Sequence, residues 1–553
     1  MDRIKSILQR RPMWYQLGLI ISGTMYTALL VNTTSKYNFA AAVLCALIVM
    51  CVLVIKFKID RFISDRRPLP EYILSVVLTL SAVYTAKSSF YSCCKLWLIK
   101  AIKWLGLSGQ AGDLMLRLAP WLTAIVALPA ALCYMLWFVD FMVRLIRWLW
   151  EKSDYIDRMY YISAAILFAM FIVFTYVCTQ AFYGAFVNGI RYDYDLIYSA
   201  DSGNLVSLDV FRNIGAAQND TRQPLYGLFS MPFAQTAWLL SRALFFWKYS
   251  YVTLLQIIQV LLLLMAVILI AMQLEINGIE KALFYVMISF SYPVLIFSLT
   301  VEQYLMAIFW LILLVHFRKE RPAGDLFYIA ATGSLLTTGV LFPLVTWDRK
   351  IKNFAFNTIK LCGAFFAVTI LCGRLTTLLE LPESLSLYSH YSGADVNAIS
   401  KLMQFVNFSG ATLFAPASQF DDFTYQYHVS FQMVPVTTWR ISGLLALAAA
   451  IAGVILGRKK YFSKVCGAWI LFSFILLGII GWGTIDNGLF LYALYFGWAY
   501  IAMVFQAIHI TLAKVRPVKI TVLSVLILLM IMVNISTLRE AIVFATQFYP
   551  NLG

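Results

Sequence analysis

Charge is scarce in this chain, and that scarcity settles its broad class before any motif is read. Of 553 residues only 13% are Asp, Glu, Lys or Arg, while 61% are hydrophobic, and the mean hydropathy is +0.79. So few charges cannot cover a soluble surface of this size. Acid is scarcer than base: 27 Asp and Glu stand against 43 Lys and Arg, for a net charge of +16. Such a surplus suits nucleic acid when the cations form a face, but here they gather in short loops beside apolar runs, so no nucleic-acid partner is expected. The nine cysteines show no paired spacing of a zinc site. Cys45, Cys51, Cys133, Cys178 and Cys362 sit inside apolar runs and read as packing residues, and the vicinal pair Cys93–Cys94 defines no redox compartment. No cofactor and no protein-held metal is expected, and the metal requirement is left open.

What fills the chain is hydrocarbon. Runs such as VTLLQIIQVLLLLMAVILIAM (252–272) and ITVLSVLILLMIMVNI (520–535) are long enough, or nearly so, to cross about 30 Å of bilayer as helices, which satisfy their own backbone there. The first run, WYQLGLIISGTMYTALLV (14–31), follows a basic start but lacks a small-residue cleavage pattern and precedes a second span. A retained helix is expected, not a signal peptide.

Placing the Lys and Arg clusters on one side threads the chain through the membrane. RIKSILQRR and KFKIDRFISDRR (56–67) both fall inside, with spans at 14–31 and 39–55 between them. A third span starts near Tyr72. KLWLIKAIKWLGL (95–107), in which Lys95, Lys100 and Lys103 alternate with Trp97 and Trp104, is expected as a separate amphipathic helix in the outer interface. A fourth span at 118–139 returns to Arg144, Arg147, Lys152 and Arg158, and spans at 159–181, 252–272, 282–299 and 302–315 lead to FRKERP (317–322). Residues 326–346 resemble one more span, yet WDRKIKN (347–353) after it carries Arg349, Lys350 and Lys352. A crossing would invert everything downstream, so the Gly333, Gly339 and Pro343 within it predict a broken helical hairpin that enters from the inner side and turns back. Spans at 354–371, 441–456, 466–481, 489–512 and 520–535 complete an all-α polytopic protein of about 12–14 transmembrane helices. Its long polar segments, 183–250 and 374–437, both face out.

Those two segments hold the chemistry-bearing residues. The first carries Asp193, Asp195, Asp201 and Asp209 with Arg191, Arg212, Arg222 and Arg242; the second carries Arg374, His390, His428, Asp421 and Asp422. Carboxylates beside guanidinium groups can take a proton while an anionic leaving group is held. Arg191, Arg212, Arg222 and Arg374 suit phosphate oxygens bidentately, whereas Arg242 and Lys248 read equally well as headgroup anchors. Glu302, at an outer helix end, reads as a polar cavity wall, and Asp421–Asp422 as a solvated turn. Asp201 before SGN reads alternatively as a helix cap.

A span with a basic inner flank, an outer D-x-G at Asp201, then DVFRNIGAAQNDTRQPLYGLF (209–229) and another span resembles the opening of the GT-C glycosyltransferases. The resemblance covers about 159–540, leaving 1–158 as an N-terminal four-span accessory region before a catalytic core at 159–553. It implies a multi-pass inner (plasma) membrane enzyme, usually inverting, with its active site facing outside or the periplasm. Its donor would be a polyprenyl-phosphate-linked sugar and its acceptor a glycan, lipid or protein hydroxyl, amid membrane lipid. Asp201 matches the acidic residue that acts as base or orients the acceptor, with Asp193, Asp195 and Asp209 as rivals, because Ser202 stands where many members carry a second acid. Arg191, Arg212, Arg222, Arg374 and His428 would hold the donor phosphate; Tyr226, Glu302, Asp421 and Asp422 would contact sugar or acceptor. A transporter or flippase for a lipid-linked or anionic solute, and a polysaccharide polymerase or ligase, are the competing expectations.

The charge pattern yields a direct test. In a cysteine-free variant, single cysteines within 199–220 and 385–430 should react with an impermeant thiol reagent added outside intact cells, and cysteines at 347–353 should not. Outside labelling of the latter group would turn the hairpin into a crossing.

Overall fold

The computed structural model describes residues 13–31, 33, 35–55, 67–107, 109–178, 197–198, 200–214, 222–244, 247, 249–320, 322–380, 382–383, 386, 392–393, 395–423, 428–433, 437–484 and 488–548. The order of elements is α1 (Met13–Leu30), α2 (Lys36–Ile55), α3 (Leu69–Trp104), α4 (Gln110–Lys152), α5 (Tyr155–Cys178), α6 (Ser202–Ser207), α7 (Tyr226–Ala243), α8 (Ser250–Leu274), α9 (Ile279–Ser289), α10 (Tyr292–Leu299), α11 (Tyr304–Phe317) and α12 (Ala323–Ser334). A 3-10 turn (Leu336–Leu341) leads to α13 (Pro343–Thr346), α14 (Ile351–Leu371), α15 (Leu375–Leu379) and α16 (Ala398–Ala411). An antiparallel pair, β1 (Ser418–Phe423) and β2 (His428–Met433), precedes α17 (Thr437–Leu456), α18 (Tyr461–Ser473), α19 (Ala493–Thr511) and α20 (Arg516–Phe548).

The protein is an all-α polytopic helical protein, and each span expected from the sequence falls largely on helix over its described residues. Nine of the described helices are long and apolar enough to cross a membrane, or ten when the bent α9–α10 pair counts as one. That is fewer than the about 12–14 expected from the apolar runs. Among the remaining expected spans Tyr304–Phe317 has only 14 residues, about 21 Å of helix, whereas α1 and α17 match expected spans with 18 and 20 residues. The span expected at 282–299 is bent by 55° between α9 and α10. Pro293 stands in the first turn of α10, where its missing N–H costs no helical hydrogen bond.

The amphipathic helix expected at 95–107 is not separate. It is the end of α3, whose 36 residues run unbroken against the 43 of α4. At about 54 and 65 Å, both exceed the hydrocarbon thickness.

Among the membrane-length helices α8 and α19 are the most enclosed and α14 the least, while the shorter α10 and α11 are buried along almost their whole length. The middle of the molecule is therefore built on α8, α11 and α19, with α14 toward lipid. The N-terminal helices keep a smaller core of their own, where Ala124, Ala127 and Ala131 of α4 meet Tyr26 and Leu29 of α1. Small residues let helix backbones approach closely where no water drives association.

Residues 326–346 form the interrupted element. α12 ends at Leu335, in extended conformation, and the 3-10 turn and four-residue α13 follow. The Tyr328 hydroxyl donates to the Gly339 carbonyl at 2.9 Å, closing the turned-back chain on α12. The Lys360 ammonium of α14 lies 3.4 Å from Asp325 at the start of α12.

At the helix ends carrying the short basic loops, a buried charge network ties α5, α9, α19 and α20. Lys281 is 2.7 Å from Asp154 and 3.0 Å from Asp157, and the Tyr285 hydroxyl donates to Asp157 at 2.5 Å. Beside it, Glu280 accepts from Lys519 at 2.7 Å and meets the His509 ring at 2.5 Å. Burial pushes the Asp154 carboxyl up, but the hydrogen bonds from Lys281 and the backbone win and hold it below its ordinary value. Lys281→Met leaves buried Asp157 without its counter-charge and should cost about 3–5 kcal/mol, read by thermal unfolding in detergent. With its folded value lowered, Asp154 stabilises the protein above the ordinary carboxylate value, so its contribution should fade only as the pH falls below about 4.

Candidate functional site

The two long segments meet at Tyr198. Its amide donates to the Phe431 carbonyl of β2 at 3.0 Å, and Ile197 forms a parallel bridge with Phe431. Its hydroxyl sits 2.8 Å from that of Tyr292 and 2.6 Å from that of Ser418, so one side chain joins the first segment, α10 and β1. Tyr198 has φ 51°, a left-handed conformation that turns the chain toward α6.

Asp201 follows, immediately before α6, and its carbonyl takes the first intrahelical bond from Leu205 at 3.0 Å. Its own amide donates to Glu302 Oε1 at 2.7 Å. Glu302 is 4% exposed, and its other oxygen accepts from the Gln303 amide at 3.2 Å. The turn that carries Glu302, between α10 and α11, is itself held from α8. Gln256 Nε2 lies 2.8 Å from the carbonyls of Phe297 and Ser298 and 3.5 Å from that of Thr300, and Gln259 donates to Gln256 Oε1 at 3.1 Å. A chain of hydrogen bonds thus runs from the enclosed core helix to the amide of Asp201.

The RQPLY stretch docks against the break in the hairpin. The Leu336 amide donates to the Arg222 carbonyl at 2.8 Å, and the Leu225 amide to the Gly333 carbonyl at 2.9 Å. A Cβ at Gly333 would stand 2.5 Å from that of Leu225, so only glycine permits this approach. The docking brings Tyr226, 1% exposed, to α11, where its hydroxyl meets Met306 Sδ at 3.5 Å and comes within electrostatic reach of Glu302. The Tyr304 hydroxyl lies within reach of Glu302, Arg222 and Asp201 together. Arg222 and Tyr226 thus share an electrostatic neighbourhood with the Asp201–Glu302 pair. Beside them an apolar cavity of about 200 Å³ opens between hairpin and α14, lined by Pro224, Leu336, Phe365, Phe366 and Leu378.

Other sequence candidates lie elsewhere. Asp209, at φ 55°, is clamped by Arg212 at 2.9 and 2.8 Å, and that guanidinium stacks over Tyr251 and Trp238 at 5.1 and 5.4 Å. Burial outweighs this ion pair and raises the Asp209 carboxyl above its ordinary value. Arg374 Nη2 lies 3.4 Å from the Ile214 carbonyl, and Arg242 stacks on Trp238 at 4.5 Å. Asp421 and Asp422 stand in β1, opposite Ser430 and Val429, and not in the expected turn; His428 opens β2 opposite Phe423. Arg191, Asp193, Asp195, Lys248 and His390 lie outside the described residues. Among the described residues no group of three or more His, Cys, Asp or Glu could hold a metal ion.

Tyr304, Tyr198 and Gln256 were not singled out by the sequence. For Gln256 a signal existed: two glutamines three apart in the otherwise apolar LLQIIQVLLLL, where a polar side chain in a span demands a partner. Compared with protein-family models, curated proteins and solved structures, the chain shows no significant match to any. The resemblance to the GT-C class rests on its own residues alone.

Gln256→Leu would strip the donor from the turn at 297–300. It should cost about 1–3 kcal/mol of stability, measured by thermal unfolding, whereas Gln259→Leu, one bond further from the turn, should cost less.

Proposed function

We propose that the chain is a membrane glycosyltransferase resembling the GT-C class, which moves a sugar from a polyprenyl-phosphate donor to a hydroxyl of a glycan, lipid or protein acceptor. Its site lies on the face of the long segments, which the charge pattern assigns to the outside of the inner (plasma) membrane. The observation that carries the reading is the electrostatic neighbourhood that Arg222 and Tyr226 share with the Asp201–Glu302 pair, beside an apolar cavity that begins at Pro224, two residues from Arg222.

In this reading the Asp201 carboxylate takes the proton of the acceptor hydroxyl as its oxygen bonds to the anomeric carbon. The bond from that carbon to the phosphate oxygen breaks, and the phosphate keeps the electron pair. Arg222 balances the charge that develops there. Glu302 acts through Asp201: a buried acceptor for its amide fixes where the carboxylate starts. The cavity takes the first isoprene units. Asp209, already paired with Arg212, is a weaker choice of base.

Two interrupted helices, α9–α10 and α12 with its 3-10 turn, favour a second reading. Broken helices at depth line the sites of many transporters. Incubating purified protein with a polyprenyl-phosphate sugar and acceptor, and in parallel following movement of the same lipid across vesicles, separates the two. Sugar transfer supports the enzyme; lipid movement without transfer supports the transporter.

If Asp201 is the base, Asp201→Asn should lower turnover by about 10²–10⁴ with little change in donor affinity. Arg222→Ala should weaken donor use by about 1.5–3 kcal/mol, with Lys rescuing only partly. Near-normal transfer by Asp201→Asn, with collapse at Asp193, Asp195 or Asp209, would move the base to that residue.

A further inference from the structure

The N-terminal helices take no part in the proposed chemistry, but one of them backs two walls of the cavity that begins at Pro224. α14, the least enclosed of the membrane-length helices, supplies Phe365 and Phe366 to that cavity, and α15 supplies Thr377 and Leu378. Both helices pack against α2. The Cys45 thiol of α2 donates to the Ala367 carbonyl at 3.7 Å, one residue from Phe366. Asn38, buried near the start of α2, makes two bonds to Thr376, one residue from Thr377. Its Nδ2 donates to the Thr376 hydroxyl at 2.8 Å, and its Oδ1 accepts from the Thr376 amide at 2.7 Å.

The turn between these two walls is held from the same region. Gly373, between α14 and α15, has φ 75°, and a Cβ there would stand 2.5 Å from Val31, the buried residue that follows α1. Only glycine combines that conformation with that approach. α15 has five residues, too few to hold a helix without outside support. Its Thr376 amide lies in the first turn, where the helix itself offers no acceptor, and Asn38 of α2 supplies one. The facing wall is fixed separately, by the Tyr328 hydroxyl on the Gly339 carbonyl. The gap between hairpin and α15 is therefore set by two independent fastenings, and one of them comes from the N-terminal region.

We propose that α2 is a positioning element for the lipid-chain cavity, and that Asn38, acting through Thr376, sets the width of the cavity and with it the affinity for the chain of a polyprenyl phosphate. This rests on the reading of the cavity as the seat of the first isoprene units, which the test follows separately from sugar transfer. Asn38 touches neither the phosphate nor the reacting atoms. Its effect belongs to binding of the chain and not to the chemical step.

The test uses the full chain in phosphatidylcholine vesicles with a polyprenyl phosphate carrying a diazirine in the isoprene units nearest the phosphate, and crosslinks are mapped by mass spectrometry. The unaltered chain should be labelled at 362–366 and 377–378, and excess unmodified polyprenyl phosphate should remove the label. Asn38→Leu strips both bonds and should raise the probe concentration for half-maximal labelling about five- to tenfold. Thr376→Ser, which keeps amide and hydroxyl, should not move it. Lys281→Met, destabilised at the helix ends that carry the short basic loops, controls for a general loss of stability and should leave the value for its folded fraction unchanged. In a transfer assay Asn38→Leu should raise the donor KM by a similar factor and keep kcat within about twofold. Should Asn38→Leu misfold, Thr376→Val, which removes only the hydroxyl, should raise the half-maximal concentration about two- to threefold. An unlabelled cavity, unchanged half-maximal labelling in the folded variant, or a fall in kcat at constant KM would each overturn the proposal. A labelled, Asn38-dependent cavity in a chain that transfers no sugar would remove the transferase reading and leave this inference in place.

Discussion

Backbone amides and carbonyls in hydrocarbon must find partners within the protein, and this requirement organises the molecule wherever a helix stops short. Several described breaks in the apolar interior are met by polar side chains. Gln256 takes the carbonyls at the end of α10, where the Tyr176 hydroxyl also donates to Leu299. Asn534 serves two breaks at once, donating to the Phe290 and Leu413 carbonyls and accepting from the Ala415 amide at 2.6 Å. Tyr328 closes the hairpin on Gly339, and Gln506 donates to the Gly453 carbonyl at 2.8 Å. Exchanging Gln256 for an apolar residue of the same size would take its donor from the Phe297 and Ser298 carbonyls.

The candidate site depends on the same device. Asp201 lies on a loop, and loops in isolation are poor platforms for a positioned carboxylate. Here the loop is fastened at Tyr198 to α10 and the β pair, and at its amide to Glu302, whose turn is held by Gln256 of an enclosed helix. The opposite wall is fastened by RQPL backbone bonds to the broken hairpin. A break that would weaken a soluble helix becomes, inside the membrane, the edge against which a polar segment docks. The charge network at Lys281 and Glu280 then holds the far ends of the surrounding helices.

Parts of this arrangement were legible in the sequence and parts were not, for identifiable reasons. The interruption of 326–346 was legible from Gly333, Gly339 and Pro343 within the apolar run. The bond between the Asp201 amide and Glu302 was not legible, because Glu302 lies 101 residues away in sequence and reads there as a cavity wall. The Asp209–Arg212 clamp was misleading, since two residues three apart look equally available for substrate until the turn at Asp209 folds them together. The amphipathic stretch at 95–107 was placed as a separate helix because Lys and Trp alternate there as they do at interfaces. Nothing local marks that α3 simply continues through it along α4.

Composition alone determined that this chain is a helical membrane protein, because few charges and long apolar runs leave no other way to satisfy its backbone. Only the tertiary structure decided which helices lie at the centre and where α9 and α10 bend. It alone decided which of the many carboxylates and guanidiniums stand together. Those outcomes depend on contacts between residues far apart in the chain, where packing of side chains and the pairing of freed backbone groups compete. No periodicity or charge count along one segment records the result of that competition.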